Sequence, residues 1–295
     1  MSAVQALLWP PFRRRWLRRV LTEAGMIVLG GILAIWSLTP VYNMLLIALD
    51  PEEGEIEFAG NIWPPEPSLE GFRNAVMQQA RYLWDFWYQF GNSIYIAVAT
   101  MLLTLLTGSL ASFAVGRMRL GKGALLTNAA LLTYSIPVSF LIVPLYRVMH
   151  GYGLLDSLWA VIATQVAFAT PFAALILQQY ARLIPLELDE AARLDGASPV
   201  QVYLRIYLPL MTPALAVVAL YAMLLAWNDY VYQFVLLAPR NMTASVMQAH
   251  LFTDADAAWN AMMAAAIIYA LPPVALFFAL RRHMTTGLTI WGAAG

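Results

Sequence analysis

Cysteine is absent from the chain, which excludes a disulfide framework, a thiolate nucleophile and an iron–sulfur site. Histidine is scarce: His150, His250 and His283 are isolated from one another and leave too little for a metal cage. Charge is scarce as well, 12% of residues against about 25% in an ordinary soluble domain. With 61% hydrophobic residues, that shortage excludes a simple water-soluble globular protein. The net charge is zero, so the overall basicity that would serve nucleic acid is missing. No His-Glu-x-x-His, no intramembrane Asp pair and no recognisable Ser–His arrangement occurs, so no catalytic residue and no metal ligand is assigned. Gly116 to Gly123 nearly matches the phosphate-binding loop, but Gly123 stands where a hydroxyl would bind Mg²⁺. It also lies between two apolar runs rather than between a strand and a helix. No nucleotide site is therefore expected in this chain, and no cofactor bound by it.

What is abundant is long apolar sequence. A membrane-spanning helix needs about 20 mostly apolar residues, and six such runs are present, near 24–48, 93–116, 124–147, 157–180, 212–234 and 259–280. Each lacks Asp, Glu and Lys across its middle, as expected where a central charge costs about 2.5–3.5 kcal/mol. The expectation is an all-α integral membrane protein with six spans. Its N-terminus is no cleavable signal, because an Arg cluster precedes an apolar run too long for a signal core, without a small-residue cleavage site. Interior prolines at Pro40, Pro137, Pro144, Pro171, Pro272 and Pro273 imply kinked or locally broken helices.

Charge placement sets the orientation. Arg13, Arg14, Arg15, Arg18 and Arg19 precede the first run, so residues 1–20 are expected in the cytoplasm. Segment 49–92 carries eight acids against Arg73 and Arg81 and reads as an external loop. Within it, Leu69 to Phe90 is rich in Trp and Tyr, and fits either an interfacial helix or a helix packed on its own bundle. Arg117, Arg119 and Lys122 follow the second run and Arg281 and Arg282 follow the sixth, both without neighbouring acids. The loops then alternate correctly for both termini inside, with a transmembrane domain over 21–283, a charged inner loop over 181–212 and a tail over 284–295.

That inner loop breaks the pattern of charge avoidance. Pro185 can begin a short helix, Glu187, Asp189 and Glu190 favour its positive N-terminal end, and Gly196 supplies a left-handed stop. Ser198 followed by Pro199 reads as the N-cap and first residue of a second helix ending near Pro209. Leu188, Ala191 and Ala192 share one face of the first helix, small enough for another backbone to approach closely.

Glu190-Ala191-Ala192, Asp195-Gly196-Ala197 and then Ile206, Leu208, Pro209 and Pro213 resemble the EAA loop of binding-protein-dependent ABC importer permeases. Asn92-Ser93, Pro144-Leu145-Tyr146, Pro171-Phe172, Trp227-Asn228-Asp229-Tyr230 and the ending Gly292-Ala293-Ala294-Gly295 are similar to landmarks of the carbohydrate-uptake branch, the second permease subunit of maltose-type systems. The resemblance covers nearly the whole chain. It implies the type I importer fold and an inner-membrane location. It also implies partners: a homologous second permease, an ATPase dimer that binds ATP and Mg²⁺, and an external solute-binding protein. Glu190, Ala191, Ala192, Asp195, Gly196, Ala197, Ile206, Leu208 and Pro209 would then form the contact through which ATP hydrolysis drives transport.

Neutral polar and aromatic groups in or beside the spans, namely Asn128, Tyr134, Ser135, Gln165, Tyr221 and Asn228, together with Asp229, are the candidate translocation-path residues. Such groups suit an uncharged, hydroxyl-rich solute whose water hydrogen bonds must be replaced. The competing expectation is an ion-coupled secondary transporter, which would usually place ionisable residues at midplane and show repeated halves.

Overall fold

The computed structural model describes residues 11–51, 62–79, 83–118, 123–251 and 258–292. Among them the regular structure is entirely helical. The elements are α1 (Pro11–Ala48), α2 (Glu70–Met77), α3 (Phe86–Gly116), α4 (Gly123–Leu131), α5 (Val138–Gly151), α6 (Leu158–Ala181) and α7 (Glu187–Leu194). After these come α8 (Pro199–Val202), a π-helical turn (Tyr203–Tyr207), α9 (Leu208–Leu210), α10 (Thr212–Trp227), α11 (Val231–Leu236), α12 (Ala244–Leu251) and α13 (Trp259–Gly292).

Among the described residues four stretches are long and apolar enough to cross a membrane: Arg19–Ala48, Phe86–Gly116, Leu158–Ala181 and Trp259–Met284. A fifth is counted if Pro199–Leu210 and Thr212–Trp227, which meet at 80°, form one broken span. The expected span 124–147 is not one helix. It is divided into α4, a 3₁₀ turn at Leu132–Ser135 and α5. Pro137 sits immediately before α5, where its ring and missing N–H stop α-helix continuing from the preceding turn. The stretch 69–90 is also not one helix: α2 ends at Met77 and Gln78 has φ 52°. Leu83 and Phe86 are buried there, whereas Trp84, Trp87 and Tyr88 are exposed.

The chain divides into two compact units. The first comprises 1–73 and 258–264. Along α1, Met26, Ile27, Leu29, Ile32, Leu33, Ile35, Trp36 and Leu38 are all exposed. A helix apolar on every side is what a lipid environment permits. Past its end, Leu49 accepts a hydrogen bond from Ser68 N at 2.8 Å, and Asn260 donates to the Asp50 carbonyl at 3.1 Å. Gly71 allows this convergence, because a Cβ there would lie 2.8 Å from both the Ala48 and the Asn260 carbonyl oxygens.

The second unit comprises 74–257 and 265–295, and its centre is α3 packed on α6 and α10. The buried face of α3 repeats every four residues as Thr100, Thr104, Gly108 and Ser112. At Gly108 an added Cβ would come within 3.0 Å of Ala173 Cβ on α6. Small residues at such a crossing let the backbones approach, which matters in lipid because burial of side chains gains little over contact with lipid tails. Thr107 and Thr170 hydroxyls hydrogen-bond across the same pair of helices at 2.8 Å.

At the turn into α6, Asp156 adopts φ 61°, a left-handed conformation that Asp tolerates better than most residues. Its carboxylate accepts hydrogen bonds from Ala238 N at 2.8 Å, Arg240 Nε at 2.8 Å and Asn241 Nδ2 at 3.0 Å. The Ala238 backbone bond, aided by Arg240 and Asn241, outweighs partial desolvation and holds this carboxyl below the usual Asp range. A lowered folded pKa contributes stability above the unfolded pKa of about 3.9, and that contribution is lost as pH falls through the folded value. Asp156→Asn should therefore melt at a lower temperature than wild type at pH 6, and the gap should narrow as pH falls below the ordinary Asp range. Thermal unfolding in detergent measures this; a pH-independent gap would contradict it.

Candidate functional site

The charged segment 181–212 forms two short helices with a tight corner. Helix α7 starts with Glu187, Asp189 and Glu190 in its first turn and has Arg193 in its last, both matched to the helix dipole. It ends in a Schellman arrangement: Gly196 N donates to the Arg193 carbonyl at 3.0 Å and Ala197 N to the Ala192 carbonyl at 2.9 Å. The corner needs φ +87° at Gly196, which glycine adopts without a Cβ penalty. Ser198 then caps the second helix. Its hydroxyl accepts from Gln201 N at 3.3 Å, while the Gln201 side chain accepts from Ser198 N at 2.7 Å, with Pro199 as the first helical residue. The sequence expectations for Gly196, Ser198 and Pro199 all hold.

Beyond Val202 the helix widens into the π turn Tyr203–Tyr207 and resumes as α9. Pro209 supplies the cause: it has no N–H for the Arg205 carbonyl, and its ring crowds that carbonyl in an ordinary α-turn. Leu208 is half-buried, whereas Pro209 is exposed. The chain bends at Met211 and enters α10.

On the surface of this segment Glu190, Ala191 and Asp195 are exposed, and Ala192, Ala197 and Ile206 are half-buried. Leu188 is exposed as well, so the face expected for close approach is open at Leu188 and Ala191 and half-covered at Ala192. Leu194, 89% exposed, and Val200 and Leu204 add apolar surface that sequence periodicity did not single out.

Sequence reasoning also missed Asp189. It read as one more acid at a helix start, yet it is buried and paired with Arg117 at the end of α3, Nε to Oδ2 at 3.4 Å. Nearby, Tyr203 and Ser109 hydroxyls are 2.7 Å apart, and Tyr207 donates to Ser112 at 2.9 Å. Phe113 meets both tyrosine rings edge-on. A cleft of about 330 Å³ beside this junction is lined by Val115, Arg117, Gln178, Arg182, Ile184 and Leu186, among others. None of these long-range pairings has a signature in local sequence.

The candidate path residues are not all brought together. The side chains of Asn128 and Tyr134 lie outside the described residues, and Ser135 and Asn228 are exposed. Tyr221 packs against Phe172 with ring centroids 4.6 Å apart. Gln165 is buried and hydrogen-bonds the Asp229 carboxylate. That carboxylate also accepts from Gln233 N at 3.2 Å and, more weakly, Tyr232 N at 3.5 Å, so it caps the start of α11.

Gln233, which the sequence did not single out, completes the network. It donates to the Ala226 carbonyl at 2.8 Å and accepts from Ser245 at 2.6 Å and from Thr243. The Trp227-Asn228-Asp229-Tyr230 landmark is thus a helix break whose freed backbone groups are satisfied by buried side chains. Among the described residues no group of three or more His, Asp and Glu is placed to hold a metal ion.

Comparison with known proteins identifies the class. The model of the family described as binding-protein-dependent transport system inner membrane component matches residues 105–289, which include the Gly-turned helix pair. The inner membrane ABC transporter permease protein YcjP of Escherichia coli K12 is 30% identical over 280 residues, 94% of this chain and 99% of that protein. The maltodextrin transport system permease protein MdxG of Bacillus subtilis 168 is 29% identical over 271 residues, 89% of this chain and 94% of its own length. In structure, the chain is similar to one from a bacterial ABC transporter involved in import of the acidic polysaccharide alginate. The TM-score is 0.70, at 20% identity, covering 90% of this chain and 96% of the other.

The chain belongs to this family of binding-protein-dependent transport components and has the ABC permease fold. It is an ABC transporter permease, a membrane protein of the family to which the sequence resemblance pointed.

Proposed function

We propose that this chain forms one half of the translocation path of an inner-membrane importer for an uncharged carbohydrate or related polyhydroxylated solute. The observation that carries the reading is the helix pair α7–α8, turned at Gly196 and capped at Ser198, within the span matched by the permease family. Its exposed small and apolar surface suits docking into a groove of a partner ATPase. That partner would bind ATP and Mg²⁺, and closure of the ATPase dimer would move the 187–208 segment as a lever. The assembly is then this chain, a homologous second permease, two ATPase subunits and an external solute-binding protein. Both termini and the lever face the cytoplasm, segment 49–92 faces outward, and α4 with α5 serves as a broken sixth crossing. Support for the solute class comes from the maltodextrin permease relative and from the neutral polar and aromatic groups along the bundle.

The competing ion-coupled reading turns on Asp229, whose carboxylate is held by the Tyr232 and Gln233 N–H groups at the start of α11. Purified alone in liposomes, the chain should neither hydrolyse ATP nor accumulate solute on any ion gradient. Accumulation should appear only with the second permease, the ATPase, the binding protein and ATP. Concentration of a sugar by the isolated chain on a sodium or proton gradient would overturn the proposal.

A further inference from the structure

The end of α3 touches the charged segment at three successive levels. Ser109 meets Tyr203, Ser112 meets Tyr207, and Arg117, one turn beyond Phe113, meets Asp189 on α7. Only the last of these reaches the helix that carries Glu190-Ala191-Ala192. Arg117 and Asp189 side chains are 2% and 5% exposed, so their attraction is little screened by water. At 3.4 Å the pair is longer than an ordinary charge-assisted hydrogen bond. Arg117 Nε and Nη2 and both Asp189 oxygens have no hydrogen-bond partner among the described residues. Charge, rather than a directional hydrogen bond, therefore holds α7 to α3. A neutral replacement on either side leaves a buried ion uncompensated.

We propose that Arg117 is the positioning residue of the lever: through its ion pair with Asp189 it ties α7 to the end of α3, so that displacement of α7 is delivered to α3. This rests on the reading of α7–α8 as the ATPase-coupling segment. Because α3 is packed tightly on α6 at Gly108 and Ala173, a push at Arg117 reaches the helical core of the second unit rather than being absorbed by a loose loop.

The test pairs a transport readout with one on the chain alone. In the reconstituted importer, Asp189→Asn and Arg117→Gln should each lower solute moved per ATP about tenfold, although both substitutes can hydrogen-bond. Asp189→Glu and Arg117→Lys, which keep the charges, should stay within about threefold of wild type. In the isolated chain in nanodiscs, amide exchange over 187–194 should quicken about tenfold in the two neutral variants while 158–181 is unaffected. Neutral variants with wild-type transport per ATP and wild-type exchange would overturn the proposal. So would charge-keeping variants as impaired as the neutral ones. If the wild-type assembly shows no ATP-dependent uptake, the coupling reading itself fails, and exchange over 187–194 still decides whether the pair holds α7.

Discussion

Gly196→Val is expected to leave the protein inserted in the membrane and to reduce ATP-driven uptake by at least tenfold. The residue occupies φ +87°, where a β-branched side chain collides with its own backbone at a cost of about 1–2 kcal/mol. To escape, the chain must give up the bonds from Gly196 N to Arg193 and from Ala197 N to Ala192, which fix the angle between α7 and the Ser198-capped helix. The corner is exposed, with nothing within 4 Å of an added Cβ, so the effect is conformational rather than steric and should spare the folded core. Gly196→Asn, which tolerates the left-handed region, should retain most uptake. Normal uptake together with normal binding-protein-stimulated ATPase in Gly196→Val would remove the corner from the mechanism.

Gly71→Val should instead abolish folding of the first unit. Its Cβ would meet backbone oxygens of Ala48 and Asn260 at 2.8 Å, and neither can move without shifting the end of α1 or the start of α13. Overpacking against flexible side chains costs about 1–3 kcal/mol. Against two carbonyls flanking the Asn260–Asp50 bond the cost should lie at or above the top of that range. The expected readout is loss of the monodisperse peak in size-exclusion chromatography and a lower melting temperature in detergent. Gly31→Val, at a site on α1 with nothing within 4 Å, is the matched control and should behave as wild type. Equal behaviour of the two variants would show that the 258–264 segment does not pack against Gly71 as described.

Local features of the 187–208 segment were legible in the sequence because they are set by backbone chemistry within a few residues. A glycine after a short acidic helix, a serine before a proline and a glutamine three residues beyond that serine each satisfy or release particular N–H and C=O groups. The apolar runs were equally legible, since bilayer thickness fixes their length. The division of the run 124–147 into α4 and α5 was legible from Pro137, one of the interior prolines that imply a kink or local break, although hydropathy alone averages over it. In the candidate path, types of residue could be chosen but not their partners. Gln165 and Asp229 share a network with Gln233, which the sequence did not single out and whose partners Ala226, Thr243 and Ser245 are set by the fold.

By itself, then, the sequence determined that this is an all-helical membrane protein with a Gly-turned, Ser-capped helix pair in its charged 181–212 segment. Those properties follow from composition, hydropathy and local capping, none of which needs distant residues. Only the tertiary structure decided that Asp189 is buried against Arg117, that Tyr203 and Tyr207 seat on Ser109 and Ser112, and that Asp229 caps a broken helix. Each of these joins residues brought together by the packing of α3, α6 and α10 or by a helix break. The side chain that satisfies a buried charge or a freed N–H is chosen by distance in space, which spacing along the chain does not encode.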